Sequence, residues 1–69
     1  MMSKSQIDSL NARIGSERIR LVAEDARGGY ILEHFTSLEE SLTRLGEMAD
    51  GYLVTPDMDP PVFLPKEEM

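Results

Sequence analysis

Arg18-Ile19-Arg20-Leu21-Val22-Ala23-Glu24 alternates between apolar and polar side chains. Asp25-Ala26-Arg27-Gly28-Gly29 then separates it from a second strand-like run, Tyr30-Ile31-Leu32-Glu33-His34-Phe35. Successive side chains of an extended chain point to opposite faces. Ile19, Leu21 and Ala23 therefore share one face, and Arg18, Arg20, Val22 and Glu24 the other, as in a sheet buried on one side. The intervening residues tolerate positive φ, so a hairpin loop of about three to five residues is expected. Arg27-Gly28-Gly29 also occurs in RNA-binding low-complexity tracts, but those need many copies and this chain has one between two strands. In the second run Tyr30 and Leu32 are assigned to the outer face, and Ile31 and Phe35 to the inner face.

Downstream, Thr36-Ser37-Leu38-Glu39-Glu40 offers two overlapping capping boxes, Thr36 with Glu39 and Ser37 with Glu40. Either places a hydroxyl on unpaired N–H groups and a carboxylate at the positive end of the helix dipole. Leu38, Leu42, Leu45 and Ala49 recur at helical spacing, with Met48 widening the stripe. Glu40 and Arg44 stand four apart in the favourable order. The spacing predicts a helix over 37–49, packed by Leu38, Leu42 and Leu45 on the hairpin and ended by Asp50-Gly51 with glycine as a left-handed cap. Tyr52-Leu53-Val54 reads as a short third strand.

Upstream, Ile7, Leu10 and Ile14 form one stripe of a short helix from Ser5, capped by Ser3 or Ser5 and ended by Gly15. Residues 1–5 are expected to be disordered. Beyond Thr55, four prolines (Pro56, Pro60, Pro61, Pro65) exclude a helix and favour extended geometry. They frame the apolar triplet Val62-Phe63-Leu64, and Lys66-Glu67-Glu68-Met69 reads as a solvated tail. The fold class is α+β: a short N-terminal helix, a β-hairpin, one amphipathic helix packed on it, a short third strand and a Pro-rich extended C-terminal segment. A single small domain is expected over 6–55, with the Pro-rich segment at 56–69.

The chain has 69 residues and no cysteine. A core of this size is marginal and usually gains stability from disulfides, a metal or a partner. Absent cysteine removes disulfides and thiolate metal sites, and one histidine argues against a histidine-based zinc site. Self-association, as a homodimer, or another protein partner is left as the expected source. No apolar run approaches the roughly 18 residues that span a bilayer, and the N-terminus has no signal-peptide core. A cytoplasmic protein with no membrane contact is expected. Residues 1–32 carry five bases and four acids, a net +1, whereas residues 33–69 carry nine acids and two bases, a net −7; together these make the net charge of −6. The acidic half should be repelled by nucleic acid and drawn to basic surfaces.

No residue pattern supports catalysis. His34 is the only imidazole, Glu33 beside it points to the opposite face, and no nucleophile with an orienting group is near in sequence. Asp57-Met58-Asp59 begins like a calcium loop, but Pro60-Pro61 follow in place of the run to a third oxygen ligand and a glycine that such a loop needs. Gly28-Gly29 opens a strand, not a phosphate-binding helix. No enzyme, cofactor or metal site is assigned.

Arg18, Arg20 and Arg27 could line one edge of the hairpin and, with Tyr30, contact nucleic acid as a β-ribbon; the net charge argues against this. The favoured reading is a small acidic protein-binding module that self-associates. Its candidate contact residues are Tyr30, Leu32, Val62, Phe63 and Leu64, and its acidic surface is Glu39, Glu40, Glu47 and Asp50. Apolar residues on a proline-stiffened segment lose little entropy on docking, in this molecule or another. In bulk composition alone the chain resembles many phage and mobile-element accessory proteins. That resemblance implies, as an alternative, inhibition of a host nucleic-acid-binding protein through the acidic surface.

Overall fold

The alternation of 19–24 becomes one of the two inner strands of a four-stranded antiparallel sheet. The computed structural model describes residues 2–68. In chain order the elements are α1 (Lys4–Ile14), β1 (Ile19–Glu24), β2 (Tyr30–Phe35), α2 (Leu38–Glu47), β3 (Asp50–Val54) and β4 (Phe63–Pro65), followed by a 3₁₀ turn, Lys66–Glu68. The sheet order is β2-β1-β3-β4. The expected α+β arrangement of N-terminal helix, hairpin and helix packed on the sheet is therefore present.

Ile19, Leu21 and Ala23 are buried and pair with Phe35, Glu33 and Ile31 of β2. Leu53 of β3 lies opposite Leu21, and Leu64 of β4 lies opposite Leu53. Ile14 of α1 and Leu38, Leu45 and Met48 from the α2 region close over this inner face. Both helices thus share one side of the sheet. Among the described residues no helix is long and apolar enough to cross a membrane.

Local chemistry accounts for the element ends. Ser3 caps α1 in a full capping box: its hydroxyl accepts from Gln6 N, and the Gln6 side chain accepts from Ser3 N at 2.8 Å. The helix thus starts at Lys4, one residue before the expected Ser5; Met1 lies outside the described residues. Of the two caps offered to α2, Ser37 is used, accepting from Glu40 N. Asp25 organises the hairpin loop, its Oδ1 accepting from Arg27 N at 2.8 Å and Gly29 N at 2.9 Å.

Further expectations are corrected. The helix ends at Glu47 with Met48 as C-cap, so Asp50-Gly51 open β3 and do not cap α2. The buried seam of α2 is Leu38, Ser41 and Leu45, continued by Met48, while Leu42 is half-buried and Ala49 exposed. Burying Ser41 is tolerated because its hydroxyl donates to Leu38 O at 2.8 Å, leaving no unpaired donor. The Pro-rich segment is part of the same domain, since residues 63–65 pair with β3. Thr55, buried, fastens it by donating its N–H to Val62 O and accepting from Val62 N at 2.7 Å. In the tail, Glu67 and Glu68 are exposed as expected and Met69 lies outside the described residues, but Lys66 is half-buried and starts a 3₁₀ turn that the prolines had been expected to exclude.

Candidate functional site

The sheet's second face carries no helix. Residues directly opposite on paired strands project to the same side, so the registers arrange this face in three rows. One end row is Tyr30, Glu24 and Asp50. The middle row is Leu32, Val22, Tyr52 and Pro65, with no charge. The other end row is His34, Arg20, Val54 and Phe63. The face is apolar in the middle, acidic at one end and basic at the other.

Large apolar side chains are left in solvent here: Tyr30 is 80% exposed, Leu32 60% and Phe63 57%. Phe63 leans on Tyr52, their ring centroids 5.0 Å apart, an attractive tilted arrangement. Between Tyr30 and Tyr52, around Glu24 and Asp50, the surface sinks into a shallow depression of about 180 Å³. Arg20, at the opposite end, forms no ion pair among the described residues. Its Nε is covered yet has no hydrogen-bond acceptor.

The expected contact residues are thus only partly brought together. Tyr30 and Leu32 point outward as assigned and share their face with Phe63. Leu64 is withdrawn into the core, and Val62 is half-buried against it. Sequence spacing could not separate these three, because which of them faces outward depends on pairing with β3. Val22 lies on the outer face as its alternation indicated and Tyr52 joins it there, but neither was among the expected contact residues, although alternation about Leu21 and Leu53 carries the signal.

The acids divide in the same way. Glu39, Glu40 and Glu47 are exposed on α2, whereas Asp50 belongs to the acidic end of the sheet face, opposite Glu24. On α2, Arg44 pairs with Glu33 at 2.8 Å and approaches Glu47 at 3.9 Å; neither contact is with Glu40. The hydrogen bond and charge of Glu33 raise the Arg44 pKa above its usual value, against a smaller opposing effect of burial, so this guanidinium stays charged.

The three hairpin arginines form no strip. Arg18 reaches Asp57 at 3.2 Å, Arg20 lies in the sheet face, and Arg27 sits in the hairpin loop beyond the far end of β1. Asp57 is therefore engaged with a cation, and no described group of three His, Asp or Glu side chains is placed to hold a metal. His34 is exposed beside Arg20, facing away from Glu33. A larger open cleft, about 560 Å³, runs between α1 and residues 61–64, with Arg13 and Glu68 as its charged walls. Comparison with protein-family models, with curated proteins and with solved structures gave no match.

Proposed function

We propose that this chain is a non-enzymatic, cytoplasmic protein-binding module whose contact surface is the open face of the sheet. One observation carries the reading: Tyr30, Leu32 and Phe63 are exposed on one face, whose middle row carries no charge. A small domain gains by hiding such a patch, and contiguous exposed apolar surface marks interaction sites.

A photo-crosslinking residue placed at Leu32 tests it in the producing cells. Capture of a polypeptide from Leu32, with none from the same residue at Thr43 on the solvent side of α2, is the expected result. No capture from Leu32 would remove this role from the sheet face.

The exposed carboxylates Glu39, Glu40 and Glu47 support a second reading, contact with a basic protein surface in place of nucleic acid. The observation favouring it is their position on α2, across the sheet from the apolar face, so the two surfaces do not compete. Reversing Glu39 and Glu40 to lysine should then abolish capture of a nucleic-acid-binding protein without altering capture from Leu32.

A further inference from the structure

The open face is complementary to itself. Its acidic end holds Glu24 and Asp50 about a depression walled by Tyr30 and Tyr52. Its basic end holds Arg20, which forms no ion pair among the described residues. Glu24 and Arg20 are four residues apart on one strand, about 13 Å, with the uncharged middle row between them. We infer that the occupant of this face is a second copy of the same chain, packed sheet on sheet about a two-fold axis that crosses the strands at the middle row. The inference rests on the sheet face being the contact surface and adds the identity and orientation of what covers it.

The charges select this axis. Two faces can be stacked by a two-fold axis lying in the plane between them, along the strands or across them. An axis along the strands places Glu24 and Asp50 over the same acids of the second copy, where like charges repel in a partly desolvated layer. An axis across the strands reverses strand direction. It brings β1 over β1, the middle row over itself, and Arg20 over the Glu24 end of the other copy.

Each guanidinium then meets an acidic depression with aromatic walls. Carboxylates and tyrosine faces both attract a planar cation, and a fork of N–H donors suits carboxylate geometry. Sheets stack about 10 Å apart, a layer that long side chains such as Arg20 and Glu24 bridge from its two sides. The contact forms twice, as an isologous interface requires. Both α2 helices face outward in this dimer, leaving Glu39, Glu40 and Glu47 accessible.

Sedimentation equilibrium on the full chain, with two charge reversals, tests the arrangement. Wild type is expected to dimerise at concentrations up to about 100 μM. R20E places an acid over Glu24, and E24R a base over Arg20, at each of the two symmetric contacts, so each alone should weaken dimerisation by more than about tenfold. Mixed in equal amounts, the two variants form complementary pairs throughout and should restore a dimer containing one of each. L32K, in the middle row, should abolish dimers without touching either charge.

Circular dichroism checks that the variants are folded. Should R20E fail that check, R20Q keeps the bulk without the charge and is expected to weaken the dimer several-fold. A monomeric wild type overturns the inference, as does a dimer indifferent to R20E or R20Q. So does a mixture of R20E and E24R that stays monomeric. A monomer whose Leu32 crosslinks to a different protein would overturn the second copy and leave the contact face standing. Absence of any crosslink would remove both.

Discussion

The ammonium of Lys66 donates to the carbonyl oxygen of Gly46 at 3.1 Å, closing the end of α2 from 20 residues further along the chain. It also bonds to the carbonyls of Leu45 and Met48. The last carbonyls of a helix lack intrahelical donors and form the negative end of its dipole. A cation there satisfies both, and because Lys66 directly follows β4 it holds that edge strand down. Lys66→Met is expected to lower stability by about 1 kcal/mol and to speed amide exchange at Leu64. Urea titration and hydrogen exchange check this; unchanged values for both would show that the lysine is not holding the two elements together.

The seam of α2 makes a prediction by rank. Leu45 is fully buried between β1 and β3, while Leu42 is half-buried at the margin of the core. Leu45→Ala should cost about 2–5 kcal/mol, comparable with the whole stability of a domain this small, about 3–5 kcal/mol. Leu42→Ala should cost about 1–2 kcal/mol. Thermal unfolding of the two variants decides, and a more damaging Leu42→Ala would mean the helix is rotated from the position described.

That rotation also shows where the sequence stops being informative. β1 is legible because Ile19, Leu21 and Ala23 satisfy one face with no competing pattern. In α2 the leucines at 38, 42 and 45 leave the helix two orientations about its axis. What selects between them is a polar residue: Ser41 can go inward because its hydroxyl is satisfied by Leu38 O within the helix. Hydrophobic spacing cannot register that. β4 is hidden for another reason. Three residues that end in a proline, Phe63–Pro65, carry almost no periodic signal, and their pairing depends on the free edge of β3 and on the Thr55–Val62 bonds. The open face was half legible, through Tyr30 and Leu32. Its charge polarity emerges only once Asp50 is paired beside Glu24 and taken away from the α2 acids.

The hairpin loop tests a single carboxylate. Asp25 accepts two backbone N–H groups and also exchanges main-chain bonds with Gly28 and Gly29. Asp25→Ala frees both donors at a solvent-exposed turn, so a loss of about 1 kcal/mol is expected. Asp25→Asn keeps an oxygen acceptor in place and should recover most of it. Equal melting temperatures for the alanine and asparagine variants would assign the turn to Gly28 and Gly29 alone.

Gly51 is where the fold has least room. Its φ is 151°, and a Cβ there would lie 2.6 Å from Val22 O and 2.7 Å from both Cα and Cβ of Ala23. These atoms belong to β1, an inner strand, held by β2 on one side and packed under α2, so they cannot move aside as a surface side chain would. Gly51→Ala must therefore prise β3 from β1, with an expected loss above about 3 kcal/mol. It would also separate Asp50 from Glu24 and so damage the acidic end of the sheet face. Gly15→Ala is the matched control. Gly15 has φ 60° and open space around its missing Cβ, so that variant bears only the strain of its positive-φ backbone, about 1–3 kcal/mol. Urea unfolding of the pair separates backbone strain from close approach. Gly51→Ala should be the more damaging by a clear margin, and a loss no greater than that of Gly15→Ala would overturn the tight β1–β3 contact.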